Sequence, residues 1–200
     1  MCNLYRLSKP ASDVANLFKA SNEAKGANAG TEVYPGYPGL VIAEGEVRSM
    51  VWGFPLSLKS KKTGKPLKPK PVNNARTDKL DSFMWRYSFV ERRCLIPLNA
   101  WAEAEGTKGS MTRTWMQMAD SDLFAVAGIW RESEEWGSCY SMIMTDADGP
   151  AAQVHDRMPV LLQPDDYDQW QDGSPEEAKS LCRAWTGALD INRTDELWRR

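Results

Sequence analysis

The sequence predicts an α+β fold, in which a strongly curved, mostly antiparallel β-sheet closes nearly into a barrel and helices pack outside it. Short runs rich in β-branched and aromatic residues, separated by glycine and charged turns, recur between residues 39 and 162. Only three segments have the spacing of helices. With 200 residues and 42% hydrophobic content, we expect a single domain over residues 1–200 with one core.

The elements follow in chain order. A first helix is expected at residues 12–20, capped by Ser12, and a second at residues 78–89. A third is expected at residues 174–185, where proline lies in the first turn and acids lie near the helix N-terminus. The strands are expected in residues 39–54, 92–104, 113–119, 123–131, 139–147 and 158–162.

Composition excludes several classes of protein. The longest apolar stretch, Leu123 to Trp130, is far shorter than the roughly 20 residues of a membrane helix, and the N-terminus has no apolar signal-peptide core. The four cysteines form no Cys-x-x-Cys pair and there is one histidine. We therefore expect a cytoplasmic protein with reduced thiols, no metal, no cofactor and no membrane partner.

The charge is unevenly distributed. The segment from Lys59 to Arg76 carries +7, so the rest of the chain carries −9 to give the net charge of −2. Such a segment suits a local contact with a polyanion, but its prolines equally suit a solvated loop outside regular structure.

Three segments place polar residues where the strand pattern predicts core or turn. Asn74 and Arg76 alternate, as on one face of an extended segment, and offer an amide and a guanidinium to one ligand. Glu103 ends an apolar run, so it is either a partly desolvated acid or base or a surface carboxylate. His155, the only histidine, precedes a strand and has either a structural or a proton-transfer role.

Cys2 raises a different possibility. If Met1 is removed, Cys2 carries a free α-amine beside its thiol, and these groups have pKa values near about 8 and about 8.5 in unperturbed peptides. A usable fraction of each is then nucleophilic at neutral pH, and an aldehyde can form an imine with the nitrogen and close a ring through the sulfur. The alternative is a small residue at a frayed terminus.

Together these features resemble the SOS response-associated peptidase family, also called the SRAP domain. The resemblance covers about residues 2 to 163 and is carried by Cys2, WGF at 52–54, NAR at 74–76, RRCLIP followed by Glu103, AGIW at 127–130 and HDRMPV at 155–160.

The resemblance implies a curved β-rich fold with a DNA groove and a covalent sensor of abasic sites in single-stranded DNA. Cys2 would crosslink to the DNA, with Asn74, Glu103 and His155 completing the site. DNA contacts would come from the side chains of Arg76, Arg157, Trp52 and Arg6. Trp52 and Trp101 are candidate stacking surfaces, and we expect a monomer.

The chain also departs from the family pattern. Asn3 and Leu4 follow Cys2 where many relatives have Gly-Arg, so Arg6 is a possible substitute for a lost phosphate contact. Pro35 replaces an asparagine, and Ala104 occupies an aromatic position. Two other functions stay open. One is a cysteine peptidase that uses Cys2 and processes its own N-terminus, and the other is a non-catalytic binder of single-stranded DNA through the loop at Lys59 to Lys70.

Overall fold

A computed structural model describes residues 2–24 and 30–198. The helices are α1 (Ala11–Phe18), α2 (Arg86–Glu91), α3 (Gly149–Ala152), α4 (Tyr167–Asp172) and α5 (Pro175–Ser180). The strands are β1 (Tyr5–Arg6), β2 (Ser21–Asn22), β3 (Glu32–Val33), β4 (Pro38–Ala43), β5 (Glu46–Trp52), β6 (Phe54–Leu56), β7 (Lys70–Val72), β8 (Asn74–Arg76), β9 (Arg93–Leu98), β10 (Ala100–Glu105), β11 (Thr112–Met118), β12 (Phe124–Ser133), β13 (Gly137–Asp146), β14 (Arg157–Pro159), β15 (Leu161–Leu162) and β16 (Leu189–Leu197).

The predicted barrel-like α+β fold is confirmed. Strands β13, β12, β9, β4 and β5 are neighbours in this order, and a parallel pairing of β5 with β13 closes them into a ring. A second sheet, in the order β16, β11, β10, β1 and β3, packs beside it. Apolar side chains fill the barrel because each strand turns alternate residues inward.

Strand β13 organises the region that matters for function. Along one edge it pairs first with β12 and then with β14, and along the other edge first with β5 and then with β8. Asn74 therefore lies opposite Met142, and Arg76 lies opposite Met144, which itself pairs with Pro159 of β14. The NAR and HDRMPV segments thus flank the same half of one strand.

The helices differ in part from the sequence prediction. Helix α1 begins one residue early, its N-cap residue is Pro10, and no side chain caps it, so the Ser12 cap is wrong. Within the expected helix at 78–89 only residues 86–89 are α-helical, as the first part of α2, because a 3-10 helix and turns precede them. Helix α5 has proline and acids in its first turn as expected, and a capping box of Ser174 and Glu177 starts it, but it ends at Ser180 and does not continue to residue 185. Helix α4 and strand β16 were not anticipated.

Trp52 and Trp101 are core residues, which corrects their assignment as stacking surfaces. Both indole side chains are fully buried, so neither presents a face to a DNA base. The Trp52 ring packs edge-on against Tyr5 and parallel to Tyr140. The hydroxyls of these two tyrosines lie 2.5 Å apart beneath Gly39, where any Cβ would clash with both oxygens.

Among the described helices, none is both long and apolar enough to cross a membrane.

Candidate active site around Cys2

Cys2 lies at the junction of the two sheets and is buried. Its carbonyl oxygen accepts hydrogen bonds from the side-chain amides of Asn73, at 2.8 Å, and Asn74, at 2.7 Å. Its Sγ lies 3.5 Å from the carbonyl oxygen of Leu4. The interpretation of Cys2 as a residue of a frayed terminus is therefore wrong. Met1, whose removal the sequence analysis requires, lies outside the described residues.

The environment of the thiol corrects a second expectation. Burial, followed by the nearby charge of Glu103, holds the pKa of the Cys2 thiol well above its usual range. The thiol is therefore protonated at neutral pH, whereas the sequence analysis assumed a usable thiolate fraction. Any reaction through the sulfur needs a base that removes its proton.

Glu103 is placed to serve as that base. It lies on β10, next to β1 in the second sheet, and only 2% of its surface is exposed. Burial, with a contribution from the charge of Asp156, raises the pKa of its carboxyl to about 7. Of the two alternatives left by the sequence, the desolvated carboxylate is the one observed. A carboxyl with such a pKa can accept and return a proton near neutral pH.

His155 sits two residues before β14, at the mouth of the strand as expected. Its Nδ1 accepts a hydrogen bond from the Arg157 backbone N–H at 2.9 Å, and it also lies 2.8 Å from Asp156 Oδ1. One nitrogen cannot serve both neighbours in one protonation state. Burial lowers the pKa of the imidazole, so the neutral form, which accepts from Arg157 and carries its proton on Nε2, dominates at neutral pH.

Two of the three arginines assigned to DNA, Arg76 and Arg157, share a carboxylate neighbour, Asp78. Arg76 donates to both oxygens of Asp78, at 2.8 and 2.7 Å. Arg157 pairs with Asp146 at 3.1 Å and lies 4.0 Å from Asp78. Arg76 lowers the pKa of Asp78, so this carboxylate stays ionised at neutral pH. A phosphate would therefore have to displace an exposed ion pair, which contributes little stability in water.

Arg6, the third of the arginines assigned to DNA, has different partners. Its guanidinium donates to Glu32 at 3.1 Å and stacks 4.1 Å over the ring of Trp115. It lines a separate small cavity with Trp115 and Asp190. The phosphate contact of Arg6 therefore stays a prediction, and it would require the guanidinium to leave Glu32.

An open groove of about 640 Å³ reaches the Cys2 site through Asn3 and Asn73. Three aromatic side chains, two prolines and one guanidinium line its walls. The remaining lining residues are Tyr34, Pro35, Tyr37, Pro71, Arg113 and Trp198. No group of three or more histidine, cysteine or acidic side chains that could hold a metal occurs in residues 2–24 and 30–198.

Comparison with known proteins identifies the family. A model of the family described as SOS response associated peptidase (SRAP) matches residues 1–196. The chain belongs to this family. The SRAP match extends beyond the segment that the motifs cover and takes in β16, which adds the outer strand of the second sheet.

Two curated relatives are similar to parts of the chain. Abasic site processing protein YoaM of Bacillus subtilis is 30% identical over 54% of this chain and 52% of its own length. Abasic site processing protein YMR114C of Saccharomyces cerevisiae is 29% identical over 50% of this chain and 28% of its own. The matched segment thus spans about half or less of each relative.

Solved structures support the SRAP fold over the whole chain. A protein from Bordetella bronchiseptica has a TM-score of 0.79 at 23% identity, covering 96% of this chain and 99% of its own. One from Bacteroides thetaiotaomicron has a TM-score of 0.78 at 19% identity, covering 96% and 91%. At these identities the likeness concerns the fold alone.

Sequence reasoning missed two parts of this SRAP site. Asn73 begins the polar segment that contains the NAR motif but received no role, because nothing in its spacing shows that it contacts Cys2. The groove aromatics Tyr34, Tyr37 and Trp198 were also missed. Tyr37 is 64% exposed, which is unusual for a large aromatic residue, but exposure cannot be read from a sequence.

Proposed function

We propose that this protein captures abasic sites in single-stranded DNA covalently, through the α-amine and thiol of Cys2 after Met1 is removed. The observation that carries the proposal is the environment of Cys2 at the junction of the two sheets. Cys2 is held by Asn74, lies within electrostatic range of a carboxyl whose pKa is about 7, and adjoins an aromatic groove. The names of the two curated relatives support the same substrate.

The reaction begins at nitrogen. An abasic deoxyribose is in equilibrium with its ring-opened aldehyde, whose C1′ is electrophilic. The Cys2 α-amine adds to C1′, and loss of one water leaves an imine. Holding the amine beside the sugar replaces a bimolecular condensation with a positioned one.

Ring closure then uses the sulfur. The thiol adds across the imine, so that an S–C1′ bond forms, the C=N electron pair moves to nitrogen, and one proton passes from sulfur to nitrogen. Because burial keeps the thiol protonated, this proton transfer needs a group that accepts the proton and returns it. The carboxyl of Glu103, whose pKa is about 7, can do both near neutral pH. The product is a thiazolidine that joins the protein to the DNA.

His155 acts before the aldehyde is free. Its neutral imidazole keeps a proton on Nε2 while Nδ1 accepts from the Arg157 backbone. When Nδ1 is also protonated, the imidazolium can pass its Nε2 proton to the ring oxygen of the closed sugar as the C1′–O bond breaks, while the C1′ hydroxyl gives its proton to water and becomes the aldehyde. Asp156, 2.8 Å from Nδ1, favours the imidazolium if the ring gains a second proton.

The groove suits a single strand, which exposes base faces and phosphates together. Tyr34, Tyr37 and Trp198 offer stacking surfaces in place of the buried tryptophans, and Arg76 with Arg157 offers phosphate contacts. We place this activity in the cytoplasm and assign it to a monomer.

Retaining Met1 is the first test. A chain that keeps Met1 or carries an N-terminal tag has no free α-amine at Cys2, so it should fold but form no stable adduct. The measurement is gel-shift crosslinking to a single-stranded abasic oligonucleotide, with intact mass confirming the first residue. Equal crosslinking by the tagged and mature chains would rule out thiazolidine formation.

Arg76 and Asp78 give an opposed pair of variants. Arg76→Ala should weaken binding of single-stranded DNA and reduce its salt dependence, because one phosphate contact and its counterion release are lost. Asp78→Asn should strengthen binding, since it frees the Arg76 guanidinium and removes a negative charge. Fluorescence anisotropy at several salt concentrations measures both effects.

The matched control is Arg48→Ala, which removes an arginine that is likewise paired with carboxylates but lies on β5. It should leave affinity within about twofold, the scale of an exposed ion pair. If neutralising the lysines between 59 and 70 weakens binding more than Arg76→Ala does, that loop is the principal DNA contact.

A cysteine peptidase acting on other proteins is less well supported. Such enzymes need a low thiol pKa maintained by a neighbouring imidazole. Here the thiol pKa is raised, and Nδ1 of the neutral His155 imidazole accepts from the Arg157 backbone N–H.

A further inference from the structure

Asn73 and Asn74 are consecutive residues whose side chains reach the same atom. Successive side chains of a regular strand point to opposite faces, so two adjacent residues cannot normally converge. Here both amide nitrogens donate to the Cys2 carbonyl oxygen, at 2.8 and 2.7 Å. A carbonyl oxygen has two lone pairs, and these two donors occupy both.

An interruption between two strands makes the convergence of the two side chains possible. Strand β7 ends at Val72 and β8 begins at Asn74, so Asn73 belongs to neither strand. Its own carbonyl accepts two hydrogen bonds, from Trp52 Nε1 at 3.0 Å and from the Met142 backbone N–H at 2.9 Å. The hydrogen bond from the buried Trp52 indole therefore stabilises the backbone of Asn73 between the two strands.

The second proton of the Asn73 amide is also used. Asn73 Nδ2 donates to Asn3 Oδ1 at 3.2 Å, so both of its protons have acceptors on the N-terminal segment. This arrangement determines the orientation of the amide, because the reverse orientation would place its oxygen against two other oxygens. Asn73 is 9% exposed, and both it and Asn3 line the floor of the groove.

From these contacts we propose that Asn73 is a positioning residue for Cys2. Together with Asn74 it holds the carbonyl of Cys2 and thereby sets rotation about the Cα–C bond. The Cα atom carries both reacting groups, so this restraint sets the direction of the α-amine and of the thiol toward the groove. The inference rests on the proposed function, because positioning matters only if these two groups react.

The test separates reaction from binding. Mature chains, shown by intact mass to begin at Cys2, are mixed with a single-stranded abasic oligonucleotide at saturating concentration, and the single-turnover crosslinking rate is measured. Affinity is measured separately with the same oligonucleotide carrying tetrahydrofuran, which has no aldehyde. Asn73→Leu, which keeps the branched shape but removes the donor, should lower the rate about tenfold, the scale of one lost hydrogen bond. Its affinity for the tetrahydrofuran strand should stay within about twofold of that of the unsubstituted protein, because the contacts that bind the DNA are unchanged.

Two further variants control for folding. Asn3→Ala removes the acceptor of the second amide proton without touching the Cys2 carbonyl, so it should slow the reaction much less than Asn73→Leu. Asn73→Asp places a carboxylate against that carbonyl. Its rate relative to the original protein at the same pH should rise as the pH falls and the carboxyl regains a proton that it can donate. A purely structural defect would show no such recovery.

A small aldehyde distinguishes this inference from the proposed function. Glycolaldehyde can condense with the Cys2 amine and thiol without DNA, and intact mass records the adduct as the aldehyde minus one water. Slower condensation with glycolaldehyde in Asn73→Leu supports the positioning role, whether or not a DNA adduct forms. Absence of a DNA adduct with the unsubstituted protein would contradict the proposed function only. Equal rates in the glycolaldehyde reaction, or equal loss of affinity and rate with DNA, would overturn the role of Asn73.

Discussion

Replacing Cys2 by alanine should abolish the stable DNA adduct, which is the largest effect we expect from any single substitution. Cys2→Ala keeps the free amine once Met1 is removed but lacks the sulfur that closes the ring. The imine that still forms should be reversible and lost on denaturation, but trapped by borohydride. Gel analysis with and without borohydride measures both species.

Cys2→Ser is the graded variant. A hydroxyl is a poorer nucleophile than a thiol, so the serine chain should give a slower or more labile product. The matched controls are alanine variants of the other cysteines, of which Cys94 and Cys139 are buried and Cys182 is partly buried. They should give adduct yields equal to that of the original protein. If one of these variants loses the adduct while its fold is intact, the reacting thiol is not that of Cys2.

The fold was predictable because its signals are local. Alternating apolar residues and glycine turns specify short strands wherever they occur, and a sheet of many such strands curves on itself. The closing contact was not predictable: β5 and β13 pair in parallel across about 90 residues of sequence, and no local pattern encodes that partner. Strand β16 was missed because its side chains are mostly exposed, which leaves little apolar periodicity.

The site shows the same division. Cys2, Asn74, Glu103 and His155 were named from motifs and from an unusual polar residue beside an apolar run. What the sequence could not provide was their surroundings. Whether Cys2 is a thiolate depends on burial, and burial depends on how the two sheets meet.

Tryptophan assignments failed for a related reason. With nine tryptophans in the chain, a motif position alone does not separate a stacking surface from a core residue. Trp52 is buried, and its polar atom contacts the backbone of Asn73. Two of the aromatic side chains that line the groove, Tyr34 and Tyr37, come from a segment noted only for the substitution at Pro35, and the third is Trp198.

The raised pKa of Glu103 predicts how the free energy of unfolding changes with pH, and this prediction is independent of any substrate. Its carboxyl has a pKa of about 7 in the folded protein and an ordinary value of 4.5. The folded state therefore binds the carboxyl proton more tightly than the unfolded state does. The stability that this proton contributes is fully present below pH 4.5 and is lost as the pH rises through about 7. Ionised Glu103 should destabilise the protein by about 3 kcal/mol above that pH.

Glu103→Gln should therefore be more stable than the original protein at pH 8 and should lose this advantage near pH 4.5. Urea unfolding across that range measures the difference. Parallel stability curves for the two proteins would mean that Glu103 does not titrate in this interval.

The same variant should be a poor catalyst, with a crosslinking rate lowered by about 10²-fold, the usual contribution of a positioned acid or base. A glutamine keeps the shape and polarity of the side chain but cannot take the proton from the Cys2 thiol. The original protein should react faster as the pH rises through about 7, because the carboxylate is the active form, and the variant should lack that step. Single-turnover rates on an abasic strand between pH 5.5 and 8.5 test this, and the interval brackets the carboxyl pKa of about 7. A variant that is more stable and yet slower would show that the desolvated carboxylate is retained for its chemistry, whereas an unchanged rate and pH profile would remove Glu103 from the reaction.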